Sequence, residues 1–456
     1  MQKLFDEVGS LDRRCYDDFY LSEDILMEHA AEGMAAFIRE KFAKDAKVIV
    51  VTGSGNNGAD GIALTRLIHG DYDVSLLHAK EPKSPMAQLQ QKRADALGVP
   101  ILTQLQPCDV LVEAIVGTGF QGKFSTQLTQ LIQEMNTLDS YKIACDMPSP
   151  NFFADTTLTM GALKKSLFLD TTKEYVGEIH VIDLGISRKL YERESNWYLL
   201  DEEDLELPHR KQKNSHKGSY GHLAVLSGEK LGASVLSASA ALRFGTGLVT
   251  LIGYEKEQFL NIPSALMYGH ALPQTTSAIA LGMGLGEEFS DKELLAFLDT
   301  DLPLIIDADL FYKDIILKLL KRKNIVLTPH PKEFVSLLKL TGIADISVET
   351  LQNERFEYAE LFCKKYPHAT LLLKGANVII GQNEKFYVNP HGSAKLAKGG
   401  SGDVLSGLIG ALLAQGFEAL HAAIHASLAH TTLAKHYSGA DFSLTPNDLI
   451  EQIGKL

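Results

Sequence analysis

The apolar residues of this 456-residue chain gather into short continuous runs, separated by longer polar segments with helical spacing. Val48–Val51 is apolar at every position, which marks a strand covered on both faces. Val74–Leu77, Val110–Ile115, Ile143–Cys145 and Ile179–Ile182 repeat the pattern. Ahead of them, residues 22–42 set Ile25, Leu26, Ala30, Met34, Phe37 and Ile38 at helical spacing with Ser22 as a cap. Such alternation predicts an α/β architecture with a doubly wound parallel sheet. It breaks between residues 192 and 217, where the acidic ERESNWYLLDEEDLELP gives way to the basic HRKQKNSHKGS. It then resumes with strands at His222–Leu226, Leu248–Ile252, Leu304–Ile306, Ile325–Leu327 and Thr370–Leu373. The break places a boundary near residue 200 between two domains, 1–200 and 205–456. Chain length agrees, because single cores rarely grow beyond about 250–300 residues.

Charge narrows the range of partners. Asp and Glu number 57 against 44 Lys and Arg, and the net charge of -13 repels nucleic acid and anionic membranes. Cys15, Cys108, Cys145 and Cys363 share no CxxC spacing, so neither a zinc site nor a disulfide framework is signalled. The N-terminus lacks the apolar core of a signal peptide, and no apolar run reaches the roughly 18 residues of a membrane span. A cytoplasmic protein without nucleic-acid or membrane partners is the expectation.

Three strand ends of the first half carry candidate chemistry. GSGNNGADG follows the Val48–Val51 strand, with a helix expected from about Asp60. Gly53, Gly55, Gly58 and Gly61 let backbone amides approach a ligand, and the helix N-terminus favours an anion. Such a turn also occurs as plain structure, but Asn56 and Asn57 add amide oxygens able to hold a cation or a hydroxyl. VLVEAIVGTGFQGK places Glu113 at a strand end with Gly117, Gly119 and Gly122 beyond, and IACDMPSP places Asp146 ahead of Ser149. In a doubly wound fold these loops converge on one sheet edge.

The strongest motif lies in the second half, AKGGSGDVLSGLIGALLAQG at 397–416. Glycines 399, 400 and 402 stand at the start of a helix whose apolar face is Val404, Leu405, Leu408, Ile409, Leu412 and Leu413, and Gly416 ends it. The amides of Ser401, Gly402 and Asp403 then point toward an anion, as a transferring phosphoryl group requires, and Asp403 is placed to accept a hydroxyl proton. An Asp cap is the plainer explanation, yet a cap needs no preceding glycines. His330, between two prolines in LTPHPKEF, is rigidly presented. Asp307 and Asp309 in IIDADL could organise magnesium or cap the next element.

Together GSGNNGADG, EAIVGTGFQGK and DMPS resemble the NAD(P)HX epimerase family, the YjeF N-terminal domain. The resemblance implies a Rossmann-like domain with a K+ site from Asn57, Glu113 and Ser149. It implies contacts to the hydrated dinucleotide from Asn56, Asn57, Gly58, Ala59 and Asp60, and from Gly117, Thr118, Gly119, Phe120, Gln121, Gly122 and Lys123, with Asp146 as the acid/base. The chain departs from the family's usual residues at Ala59, Glu113 and Pro150. GGSGD resembles the anion hole and base of the ribokinase superfamily. HKGSYGHLAVLSG, LGASVLSASAALRFGTGLVT, GMGLG, LTPHPKEF and LLLKGANVII stand in the order seen in the ADP/ATP-dependent NAD(P)HX dehydratases. That resemblance implies a ribokinase-like domain with Lys374, Gly375, Ala376, Asn377, Val378 and Gly402 on the nucleotide. Ala233, Gly284, His330 and Asp403 would meet the hydrated nicotinamide. The substrates implied are NADHX and NADPHX, with ADP or ATP as phosphate donor, Mg2+, K+ and a homo-oligomeric assembly. The alternative is a ribokinase-superfamily small-molecule kinase carrying a non-catalytic N-terminal binding domain.

Overall fold

A computed structural model describes residues 1–117, 122, 124–253 and 262–456. The chain divides into two compact units, Lys3–Ser195 and Met1–Gln2 with Asn196–Leu456. All four cysteines are free and buried. Among the described residues, no helix is long and apolar enough to cross a membrane.

The N-terminal unit runs β1 (Gln2–Phe5), α1 (Gly9–Phe19), α2 (Glu23–Lys41), β2 (Lys47–Thr52), α3 (Asn56–Ile68), β3 (Asp73–His78), α4 (Pro85–Ala96), β4 (Ile101–Leu102), β5 (Val110–Ala114), α5 (Thr126–Thr137), β6 (Tyr141–Cys145), β7 (Thr156–Met160), β8 (Leu163–Lys164), β9 (Glu178–Ile182) and α6 (Arg188–Tyr191). Ser22 caps α2, its hydroxyl accepting the Ile25 amide at 3.4 Å. The buried face is Leu26, Ala30, Met34 and Ile38, whereas Ile25 of the expected apolar set lies exposed at the helix start. The third helix corrects the sequence reading: α3 begins at Asn56, with Gly55 as its cap, rather than near Asp60.

Among the described residues, the sheet has the order β4-β3-β2-β5-β6-β7-β9 with every neighbouring pair parallel. Alternate residues of β2 serve two cores. Val48 and Val50 meet Met34 and Ile62 on one face, and Ile49 and Val51 meet Leu128 and Ile132 on the other. Strand order reverses between β2 and β5, and that switch point opens a crevice at the carboxyl ends of the strands.

The C-terminal unit runs β10 (Trp197–Leu199), β11 (His222–Leu226), α7 (Leu231–Arg243), β12 (Leu248–Ile252), β13 (Met267–Gly269), β14 (Ala278–Leu281), α8 (Asp291–Phe297), β15 (Leu304–Ile306), α9 (Ile316–Leu319), β16 (Ile325–Leu327), α10 (Pro331–Leu340), α11 (Val348–Asn353), α12 (Arg355–Lys365), β17 (Ala369–Leu373), β18 (Val378–Gln382), β19 (Lys385–Asn389), α13 (Ser401–Ala414), α14 (Ala419–Lys435) and α15 (Pro446–Gln452). Strands order as β13-β12-β11-β14-β15-β16-β17, all parallel, with the reversal between β11 and β14.

The sheet then departs from the uniformly parallel expectation, since β17, β18 and β19 pair antiparallel. Only residues 374–377 separate β17 from β18, far too few for the dozen or more that a parallel crossover needs. Asn383, at φ 55°, turns β18 into β19. Helix α13 is buried from Val404 to Ala414 and packs on α7. A Cβ at Gly407 would fall 2.2 Å from the Ser237 carbonyl oxygen, so glycine sets the closeness of that packing.

Candidate active sites

In the N-terminal unit the glycines divide by role. A Cβ at Gly53 would lie 1.8 Å from the Ile115 carbonyl oxygen, one at Gly58 would lie 2.1 Å from that of Gly53, and one at Gly61 would strike Ala114. These three serve close packing of the turn. Gly55 has nothing within 4 Å of its Cβ position and is the open one. Asn56, Asn57 and Gly58 form the first turn of α3, where amides have no intrahelical acceptor. The Asn56 side chain donates through Nδ2 to Glu23 Oε1 at 2.6 Å. Ala59 turns away, its methyl packed with Met27, Met86 and Ala87 and its N–H bonded to the Gly55 carbonyl. Asn57 keeps a buried side-chain amide whose nitrogen and oxygen have no partner among the described residues.

Glu113 is fully buried at the end of β5. Ser149 donates its N–H to Oε2 at 2.9 Å and its hydroxyl to Oε1 at 2.7 Å, and the Ile115 N–H donates to Oε1 at 2.7 Å. Burial pushes the carboxyl up to about 7 against the pull of these hydrogen bonds. Pro150 leaves both Ser149 donors in place. Asp146 takes the left-handed conformation at φ 68°, which swings its carboxylate toward the crevice loops. A Cβ at Gly117 would sit 3.5 Å from Asp146 Oδ2 and 3.6 Å from Asn57 Cβ, so the three loops meet there. Gly122 lines a cavity of about 500 Å³ with Phe124, Ile132, Pro150 and Phe153. Thr118, Gly119, Phe120, Gln121 and Lys123 lie outside the described residues.

Sequence reasoning missed Lys164, which is wholly buried and stands 2.5 Å from Asp146 Oδ1. Its ammonium also donates to Thr159 Oγ1 and to the Met160 carbonyl. One half of a Lys-Lys pair reads as solvated charge, so nothing in the local pattern announces it. Asp60 sits in the same neighbourhood, its pKa pushed well above the usual carboxylate range by burial and by the charges of Asp146, Asp12 and Glu23.

In the C-terminal unit, Gly400 at φ 93° turns the chain into α13. The Ser401 N–H bonds the Lys398 carbonyl at 3.2 Å, which removes it from the anticipated anion hole and leaves the first-turn amides of Gly402 and Asp403. The Ser401 hydroxyl instead meets His430 Nε2 at 3.1 Å. Asp403 is the third residue of the helix, not its cap. Burial and the Asp307 charge raise its carboxyl to about 6, with Lys374 pulling the other way.

Lys374 joins the pieces. Its Nζ lies 2.8 Å from Asp307 Oδ1, 4.0 Å from Glu333 Oε2 and 3.5 Å from where a Gly402 Cβ would stand. Burial lowers the ammonium's pKa, but the Asp307 and Glu333 charges more than offset this and the net shift is upward. Asp307 also accepts the Ser406 hydroxyl at 2.8 Å, so each of its oxygens holds a protein donor. Asp309 accepts the Gly286 amide at 2.9 Å. His330 caps α10 through Nδ1, which accepts the Glu333 N–H, so Nε2 carries the proton that faces Glu333 Oε1 at 3.0 Å.

Gly284, at φ 64°, lies against Ala233 across the switch point, a Cβ there falling 3.1 Å from the Ala233 methyl. The Lys374 N–H bonds the Pro329 carbonyl and brings the Lys374–Val378 loop beside His330. Within that loop Gly375 and Ala376 are half-buried, while Asn377 and Val378 point inward. Glu333, Ser406 and His430 were missed in the sequence. Of these only Glu333 had a signal, standing three residues after a capping position.

The comparisons agree across both units. The family profile for NAD(P)H-hydrate dehydratase matches residues 223–455, and that for the YjeF-related protein N-terminus matches residues 23–166. The chain is 43% identical to the bifunctional NAD(P)H-hydrate repair enzyme Nnr of Helicobacter pylori, covering 100% of both chains. It is 28% identical to that of Escherichia coli over 94% of this chain and 88% of the relative. A crystal structure of the ADP/ATP-dependent NAD(P)H-hydrate dehydratase from Bacillus subtilis shares 29% identity, covers 55% of this chain and 92% of its own, and has a TM-score of 0.47. The chain belongs to the family of bifunctional NAD(P)H-hydrate repair enzymes.

Proposed function

We propose that the C-terminal unit dehydrates the S epimer of NADHX or NADPHX at the expense of ADP, giving AMP and phosphate, and that the N-terminal unit interconverts the R and S epimers. The placement of Asp403 carries the first half, on the first turn of α13 with the Lys374 ammonium beside it. Hydroxide is a poor leaving group from the hydrated ring. Asp403 takes the proton of the ring hydroxyl, and the freed oxygen attacks the terminal phosphate of the nucleotide. The Gly402 and Asp403 amides and Lys374 hold the charge that spreads over the phosphoryl oxygens. Phosphate then departs with its bonding pair, pushed by the ring nitrogen lone pair, and the resulting iminium loses a proton from the adjacent ring carbon to the departing phosphate, which restores the reduced nicotinamide. His330 and the Ala233–Gly284 step line the same sheet edge as the surface for the hydrated ring.

Magnesium would arrive with the nucleotide phosphates and neutralise part of their charge. Asn57, Glu113 and Ser149 would hold K+, which suits hard oxygen donors and would supply positive charge near the dinucleotide. The unpartnered Asn57 amide supports that fit. In the N-terminal unit Asp146, ion-paired to Lys164, is the proton-transfer group at the damaged ring.

Incubating S-NADHX with ADP, with ATP and without nucleotide tests the reading. Recovery of the reduced-nicotinamide absorbance, fastest with ADP, is expected. A stable phosphorylated product without that recovery would establish a kinase instead.

A further inference from the structure

Epimerisation, on the reading above, removes the ring hydroxyl as water from one face and returns water to the other. One direction needs a proton donor on the first face and an acceptor on the second, and the reverse direction exchanges their roles. Asp146 supplies only one of these groups.

The charge of Asp146 acts on a second carboxyl, that of Asp12. Asp12, half-buried in α1, accepts the hydroxyl of Tyr191 at 2.7 Å. Tyr191 is 1% exposed, and the Arg14 guanidinium holds its carbonyl at 2.6 Å. Its ring lies on Gly161, where a Cβ would come within 2.5 Å of it, and Gly161 is at φ 73°. The preceding carbonyl, Met160, accepts from Lys164 at 3.2 Å, and Lys164 reaches Asp146. Asp12, Tyr191, Gly161, Lys164 and Asp146 thus form one contiguous assembly. We propose that Asp12 is the second proton-transfer residue of the epimerisation and that Tyr191 is the residue that positions it.

Asp12 gives its proton to the ring hydroxyl, the C–O bond breaks, and the ring nitrogen lone pair forms a C=N bond as water leaves. Water then adds to the opposite face, the electron pair returns to nitrogen, and the Asp146 carboxylate takes the added water's proton. One proton passes from Asp12 to Asp146 with no oxidant or reductant, and passage in the other direction, or exchange with solvent, restores it. Burial raises the Asp12 carboxyl, opposed first by the Tyr191 hydrogen bond and then by Lys164, with Asp146 and Glu7 adding to the rise. Asp60 on α3 and, within α1, Cys15 and Tyr16 also face it, and Glu23 of α2 acts on Asp60 and Tyr16.

The test follows R-to-S conversion by chiral chromatography, with full-length protein and no nucleotide. Asp12→Asn should slow it by about 100-fold or more, and Asp12→Glu should recover part of the rate. Dehydration of S-NADHX with ADP continues in both variants and reports a folded chain. Tyr191→Phe should move the alkaline limb of the epimerisation profile to higher pH, because the lost hydroxyl favoured the Asp12 carboxylate. Wild-type speed in Asp12→Asn, or an unmoved limb in Tyr191→Phe, overturns the proposal. Asp146→Asn separates the two ideas. If it stops conversion and Asp12→Asn does not, only the role of Asp12 fails; if the wild type converts nothing, the epimerase reading itself fails.

Discussion

At Gly402 a Cβ would meet nothing closer than the Lys374 ammonium at 3.5 Å, an ordinary contact, and the backbone there is helical. Gly402→Ala therefore folds, with stability unchanged or raised by up to about 1 kcal/mol. Its methyl occupies the phosphate side of the turn, so the KM for ADP should rise roughly tenfold or more, about one lost charge-assisted hydrogen bond; an unchanged KM would place the phosphate elsewhere. Asp403 must be ionised to act as a base, and its carboxyl is raised to about 6. Dehydration should therefore run fully above that pH and fall away as pH drops through it, as a kcat/KM profile would show. Lys374→Met should push this acid limb to higher pH and leave Asp307 buried without its cation, at a cost of about 3–5 kcal/mol in denaturant unfolding. Asp403 was legible in the sequence because glycines before an apolar helix are a local signature. Lys164 was not, because its burial depends on Asp146, 18 positions earlier in the chain.

Helix α13 owes its placement to neighbours as much as to its own residues. His430 on α14 is buried against Ser401, and burial lowers its pKa from 6.5 to about 4. The folded state resists the proton that the unfolded chain accepts, so the stabilisation is whole above about 6.5 and is lost as pH falls from there toward about 4. The difference amounts to about 3 kcal/mol at most. Thermal unfolding of wild type and His430→Gln should show the wild type losing more stability across that interval, and parallel curves would remove His430 as the cause. Among the strands, apolar runs such as β2 could be read directly. Strand β7, TTLTM, could not, because its threonines look polar until Thr157 Oγ1 is seen donating to the Val176 carbonyl at 2.7 Å inside the core. The short β14 was also missed, since two of its four residues are alanine.

On the proposed reading the proton-transfer residues fall in separate compact units, Asp12 and Asp146 in one and Asp403 in the other. With mixed epimers and excess ADP, wild type should convert the whole sample. Asp146→Asn should run at normal speed to the S share and then continue only as fast as the epimers interconvert unaided. Asp403→Asn should reverse the pattern, interconverting epimers without restoring reduced cofactor; if either variant abolished both activities, the two sites would not be separable. The amino-acid order alone determined the α/β class, the glycine turns, the strand end bearing Asp146 and the helix start bearing Asp403, because hydrophobic period and turn chemistry act between near neighbours. Tertiary structure decided which strands flank each switch point, that β17, β18 and β19 pair antiparallel, and which carboxyls are paired or raised. Those outcomes rest on contacts such as Tyr191 with Asp12, 179 residues apart, and desolvation and charge pairing arise only once packing brings such residues together.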